Sequence, residues 1–365
     1  WPPELFDPRG LFDGDTLLSV CKLYYPEVFL RDGYTTIGGL GAVATPPEHR
    51  RQGHIRTLIK HTLAEYRENG VALVALWPFS TSFYRQLGWS VANKFTRYEI
   101  PPEQLAFARG FEGEFRRLTP DDWDRLHRID VGFGGGTSLW MRRSEEWWHE
   151  QTLSDRGFGG VPYIYGYERD DELRGYVMYT ADMDDDEGER RLRISGLAYL
   201  DEDAHLALLG FLSNHDSQVE TIELWRAQQS DLLDYAPEPN ELDCTIRSGP
   251  MVRLADVPAG LERFPWPETL DGTLTFDVSD SLVEANDGLF EVSVRDGTPA
   301  VTGTGSDAVS DADVAVDVAT LTQLYVGTYS VDEAERFGEC TVEPSVRDAL
   351  TEAFTPRPVC LQEFF

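Results

Sequence analysis

Residues 71–77 read VALVALW, seven apolar residues without a break. A run this short is a strand, and one that is apolar on every side chain is covered on both faces, as in a parallel sheet. Parallel pairing needs a crossover connection. The crossover stands directly upstream: Ile55, Leu58, Ile59, Leu63 and Tyr66 recur at helical spacing between Gly53 and Asn69, and Gly70 is placed to end that helix. Before it, YTTIGGLGAVAT (34–45) reads as a strand whose glycines let another group approach the backbone. After it, TSFYRQL (81–87) predicts a short helix stopped by Gly88. This order of strand, loop, helix and strand is a βαβ unit and places the chain in the α/β class.

The loop that enters the helix is chemically out of character with the rest of the chain. The protein carries 32 Lys+Arg against 64 Asp+Glu, a net charge of −32, yet HRRQGHIRTLIK (49–60) holds four Lys/Arg, two His and no carboxylate. A helix N-terminus presents up to four unpaired N–H groups and about half a positive charge. Arginine adds charge and donors for phosphate oxygens, and glycine removes the Cβ that would block them. Arg50-Arg51-Gln52-Gly53 therefore reads as a pyrophosphate cradle. The plainer reading is an exposed basic first turn, but basic residues are disfavoured at helix N-termini, which weakens it. A P-loop is absent, and GFGGG (132–136) has no clear strand before it, so a surface loop fits it better than a dinucleotide fingerprint.

The overall charge excludes nucleic acid and anionic membrane surfaces as partners. Lysine occurs three times, at Lys22, Lys60 and Lys94. High acid with almost no lysine resembles the proteins of extreme halophiles, where salt screens self-repulsion. The scattered cysteines Cys21, Cys244, Cys340 and Cys360 indicate neither a zinc site nor a disulfide framework, which favours the cytoplasm. No apolar run spans a membrane, and no signal peptide is read.

Three segments are expected: 1–110, 111–248 and 249–365. The second holds a helix (PDDWDRLHRID), the hairpin YIYGYERDDELRGYVMYT turning at Arg169–Glu172, an acidic loop (DMDDDEGE), the strand LRISGLAYL, a helix from Asp203 and the strand TIELWRA. This order echoes the first segment and suggests an internal repeat. At the equivalent cradle the second segment has Asp201, Glu202 and Asp203, which cap a helix well but repel phosphate. One coenzyme site per chain follows. The third segment shows hairpin signals at Asp287-Gly288 and Asp296-Gly297, an acidic patch (TGTGSDAVSDAD), a strand and helix in VAVDVATLTQLYVG, a helix in PSVRDALTEAF and an aromatic end, CLQEFF.

AVATPPEHRRQGHIRTLI resembles motif A of the GNAT N-acetyltransferases, Q/R-x-x-G-x-G/A, and SFYRQLGW (82–89) resembles their later F-Y-x-x-x-G-F element. Ile55 departs from the Gly or Ala usual at its position. That departure, and the three-segment layout, look like the Eis (enhanced intracellular survival) branch. The resemblance implies an α/β to α+β chain: a GNAT mixed sheet, a second degenerate GNAT domain and a sterol carrier protein-like α+β domain. It also implies acetyl-CoA as the acetyl donor, a polyamine- or aminoglycoside-like cation as acceptor, and a homo-oligomer, with a hexamer as the candidate assembly. A protein lysine is the competing acceptor. An apolar-ligand or partner-binding protein with a vestigial coenzyme site is the non-enzymatic alternative. Only 41 residues precede Ala42, so roughly 40–60 residues of a natural domain are expected to lie ahead of Trp1.

The resemblance assigns the coenzyme to Val43, Ala44, Thr45, Arg50, Arg51, Gln52, Gly53, His54 and Ile55, with a backbone N–H at Val43 or Ala44 facing the carbonyl oxygen. Tyr84 falls at the family's proton-donor position; by spacing alone it is a packing aromatic beside Phe83 and Leu87. No His is well placed as a base. In Eis-like proteins the C-terminal carboxylate serves, which makes Phe365 the base here; the alternative is an aromatic tail docked on its own domain. Glu363 could draw a cationic amine. No metal is expected.

Overall fold

The computed structural model describes residues 5–155, 160–183, 188–228, 231–295, 297–303 and 312–365. The chain forms two compact units. One holds Lys94–Gly135 and Arg143–Ser248; the other holds Gly136–Arg142, Gly249–Phe365 and the described residues up to Asn93.

The second of these units contains the βαβ element. Its main sheet runs in the order Asp7–Asp13, Thr16–Tyr24, Gly38–Ala44, Leu73–Leu76, Met251–Leu254 and Ser90–Val91. The apolar run from Val71 is buried as expected, and Gly38–Leu40 pairs with Val74–Leu76 in parallel. Between them the crossover helix His54–Glu68 buries Leu58, Ile59, Thr62, Leu63 and Tyr66, and Gly70 ends it at φ 74°. The short helix Thr81–Arg85 starts on Ser80, whose hydroxyl accepts from the Phe83 N–H. Residues 34–45 are not one strand. Gly33–Thr36 pairs with Glu27–Leu30 in a separate three-stranded sheet, and the chain turns at Ile37, whose N–H is taken by the Pro26 carbonyl. A five-stranded sheet completes the unit, in the order Thr298–Gly303, Gly288–Arg295, Gly272–Ser279, Val314–Asp317 and Cys340–Val342. Beside it Phe264, Trp266, Phe276, Tyr325 and Phe354 fill the interior with rings 5.0–6.1 Å apart.

The other unit is a seven-stranded sheet: Asp243–Ser248, Lys94–Ile100, Thr221–Ala227, Arg190–Tyr199, Glu172–Met183, Tyr163–Arg169 and Glu114–Arg117. Arg191–Ile194 pairs with Thr221–Leu224 in parallel, with the helix Glu202–Ser213 as crossover. This repeats the first sheet's plan. The Arg169–Glu172 hairpin turns through Asp170 and Asp171, both at positive φ.

The expected boundary at 248 coincides with the edge between the two units, whereas the one at 110 lies inside a unit that begins at Lys94. Lys94–Ile100, read as the end of the first domain, pairs with Thr221–Ala227 in the seven-stranded sheet. Met251–Leu254, read as the start of the third, pairs with Leu73–Leu76 in the first sheet. The loop at Asp287-Gly288 is longer than a tight hairpin, since a helical turn, Glu284–Asn286, precedes the strand. Asp296, residues 184–187 of DMDDDEGE and residues 304–311 of TGTGSDAVSDAD lie outside the described residues.

Candidate active site

The site is built on the strand Gly38–Ala44. It pairs with Leu73–Leu76 only as far as Leu40–Leu76, so the Gly41–Ala44 half has no ladder on that side. On its other side the ladder with Thr16–Tyr24 shifts register: Val20 faces Ala44 and Lys22 faces Gly41, leaving Ala42 and Val43 opposite Cys21 alone. That is a β-bulge, with Ala42 in the left-handed region at φ 49°. The bulge takes in Val43, one of the expected N–H donors, while Ala44, the other, keeps its place opposite Val20.

The bare glycines accommodate two groups. A Cβ on Gly38 would lie 2.7 Å from the Tyr66 ring, whose hydroxyl donates to the Gly39 carbonyl at 2.7 Å. A Cβ on Gly41 would lie 2.6 Å from the carboxylate carbon of Phe365, and one on Gly39 would lie 3.2 Å from its ring. The chain end therefore lies on the diverging half of the strand. It is fixed along its length: Leu361 N–H donates to Asn93 at 3.1 Å, Trp77 donates to the Glu363 carbonyl, and Phe364 and Phe365 stack near Trp77 and Tyr24, at 5.6 and 5.7 Å. Phe365 is 5% exposed and the Glu363 side chain is buried beside it in sequence.

At the strand's far end stands the basic loop. Thr45 is buried, its hydroxyl 3.1 Å from that of Ser19, and its carbonyl accepts Arg50 Nε at 3.1 Å. Gln52 donates to the Glu48 carbonyl, and Arg50, Arg51, Gln52 and Gly53 are all exposed. Gly53 opens the helix at φ 84° with no side chain capping it, and a Cβ there would meet no atom within 4 Å. His54, half-buried, sits 6.4 Å from the His49 ring. Ile55, also half-buried, packs against the core that contains Leu58, Leu63 and Leu282. An open, basic, uncapped helix mouth fits a coenzyme diphosphate.

Tyr84 is 1% exposed, with Phe79, Phe83 and Trp89 around its ring at 5.2–6.1 Å. Burial, and secondarily the Cys21 thiol nearby, push its pKa well above the usual tyrosine value. It shares a core cluster with Cys21, the residue opposite the bulge. Sequence reasoning had no signal for Gly41 as the seat of the chain end, since nothing local in GGLGAVA names a partner 324 residues away.

The equivalent place in the seven-stranded sheet is closed by protein. Asp201 caps its helix through Ala204 N–H at 2.9 Å and is gripped by Arg169 and Arg174 at 2.9 and 2.7 Å. Past the last parallel pair, Arg226 crosses to the Leu197 carbonyl at 3.0 Å.

Residues 4–92 and 139–254 each match an acetyltransferase (GNAT) domain family, and residues 257–362 match the sterol carrier protein domain. A Streptomyces avermitilis protein described as an uncharacterized N-acetyltransferase is 23% identical over 357 residues, covering 95% of this chain and 86% of that protein. A Streptomyces griseus counterpart is 22% identical, covering 90% and 81%. Three solved structures share the fold at 22% identity. A probable N-acyltransferase of Enterococcus faecalis has a TM-score of 0.86 over 99% of this chain and 90% of its own. A GCN5-related N-acetyltransferase of Anabaena variabilis has 0.83 over 98% and 89%, and Eis1 of Mycobacterium abscessus has 0.76 over 98% and 90%.

Proposed function

We propose that this chain, an N-acetyltransferase with two GNAT domains and a sterol carrier protein-like domain, moves acetyl groups to a primary amine of a cationic small molecule at its first GNAT domain. Acetyl-CoA, the general donor of GNAT domains, supplies the activated thioester. The mouth formed by Arg50, Arg51, Gln52, Gly53, His54 and Ile55 would hold its diphosphate, and Val43, Ala44 and Thr45 would line its thioester arm. The observation that carries the reading is the carboxylate of Phe365 against Gly41, on the strand half left open between two sheet partners.

A free alkylamine has a pKa of ~10.4, so the acceptor arrives protonated and must lose a proton before it attacks. The Phe365 carboxylate takes that proton, directly or through water. Glu363 adds negative charge that favours a cationic acceptor. The N–H groups of Val43, in the bulge, and of Ala44, beside it, donate toward negative charge developing on the carbonyl oxygen. Tyr84, kept protonated by its buried setting, gives its proton to the leaving sulfur.

The second GNAT domain holds no coenzyme on this reading, its helix mouth being filled by Asp201 and its arginines. The acidic, lysine-poor composition supports a high-salt cytoplasm. Among the described residues no helix is long and apolar enough to cross a membrane. A homo-oligomer, with a hexamer as the candidate assembly, completes the reading. Calorimetric titration with acetyl-CoA, followed by a thiol-release assay over polyamines, aminoglycosides and lysine peptides, tests it. Turnover on polyamines or aminoglycosides is expected; turnover on lysine peptides alone would move the acceptor to protein, and binding with no turnover on any amine would sink the reading.

A further inference from the structure

We propose that the buried pair Arg253–Asp280 is a positioning device that registers Tyr84 against the mouth of the coenzyme helix. It rests on the roles read above for Tyr84 and the Gly53 mouth. The two side chains are 0% and 1% exposed. One terminal nitrogen of Arg253 donates to Asp280 and the other to the Leu87 carbonyl. Leu87 and Trp89 in turn donate their N–H groups to the Tyr84 carbonyl, at 2.9 and 3.2 Å. Arg253 thus grips the turn that ends the Tyr84 helix. Gly88 lies in that turn at φ 79°, and a Cβ there would collide with the guanidinium, so the contact is specified from both sides.

Asp280 faces the other element. It accepts from Leu282 N–H at 2.9 Å, Val283 N–H at 3.1 Å and the Asn286 amide at 3.1 Å, which fixes the turn from 280 to 283. Ser281, inside that turn, accepts Arg56 from the first turn of the coenzyme helix at 3.0 Å. Leu282 belongs to the core that contains Leu58, and Ile55 and Val283 pack against the same core. The bulky Ile55, which departs from the small residue of the motif, is here an apolar contact for this brace. A buried ion pair is weak evidence for stability. One whose partners each hold the backbone of a different functional element fits registration instead.

The test is Arg253→Met combined with Asp280→Leu, since removing both charges together commonly preserves folding. The expected result is a melting midpoint near that of the parent, a coenzyme A Kd raised about tenfold and a kcat lowered about 10- to 100-fold. The basic limb of the kcat–pH profile should move to lower pH as Tyr84 loses its burial. Parental kcat and Kd in the folded double variant would overturn the proposal. If that variant does not fold, R253K keeps charge opposite Asp280 but cannot hold two acceptors as a planar fork; it should show the same signature, and parental values in it would overturn the proposal equally. Should Y84F turn over at the parental rate, the reading of Tyr84 fails, while coenzyme A affinity still judges the brace.

Discussion

Gly41 and the last residue of the chain, Phe365, are in such close contact that a single added methyl group on Gly41 would stand 2.6 Å from the terminal carboxylate carbon. Gly41 is not in the left-handed region, so alanine fits its backbone; the chain end must move, and the Tyr24 ring, 3.1 Å from that Cβ, must give slightly. Gly41→Ala should therefore lower kcat about 10- to 100-fold with coenzyme affinity nearly unchanged. Steady-state kinetics and calorimetry check this; unchanged kcat would detach the chain end from the chemistry.

Lengthening the chain by a few residues beyond Phe365 moves the carboxylate off Gly41 without altering any side chain. Activity should be abolished while the melting curve stays close to that of the parent. A fully active extended protein would remove the terminal carboxylate from the mechanism.

Tyr84→Phe keeps the ring that packs on Phe79, Phe83 and Trp89 and removes only the hydroxyl. Turnover should drop by ~10²–10⁴-fold, the usual size of a general acid's contribution. Because burial raises the Tyr84 pKa, the parent should hold its kcat plateau far into the basic range. Lost coenzyme affinity in Y84F would instead mark the hydroxyl as structural.

Gly53→Ala places a methyl group at the open helix mouth, at a φ of 84° that costs an L-residue roughly 1–2 kcal/mol. The coenzyme A Kd should rise about tenfold or more. An unaltered Kd would show that the phosphates do not approach this glycine.

His205 stacks on Tyr199 with centroids 4.2 Å apart, and burial, then Arg226, push its pKa down to about 3. In the unfolded chain it titrates near ~6.5. Across that window the unfolded state binds a proton that the folded state refuses, so stability falls as pH falls from about 6.5 toward about 3. His205→Phe keeps the stack and removes the titration. Denaturant midpoints at pH 7 and pH 4 should differ less in this variant than in the parent; equal differences would mean that His205 is protonated in place.

Local pattern carried much of the fold. The crossover helix ends within a residue of its expected bounds because its apolar period and Gly70 act on neighbouring turns. The uncapped Gly53 mouth was legible for the same reason. Residues 34–45 were misread as one strand, since apolar composition cannot report the turn at Ile37, which depends on the Pro26 carbonyl. The placements of Lys94–Ile100 and Met251–Leu254 were invisible because each finds its partners more than a hundred residues away. The same holds for the grip of Arg253 on the Leu87 carbonyl and for the seat of Phe365. The glycines of GGLGAVA announced a close approach, but not what approaches.

Met251–Leu254 sits between Leu73–Leu76 and Ser90–Val91. During synthesis the first sheet must therefore wait, with Leu73–Leu76 lacking a neighbour, until residue 254 has cleared the ribosome.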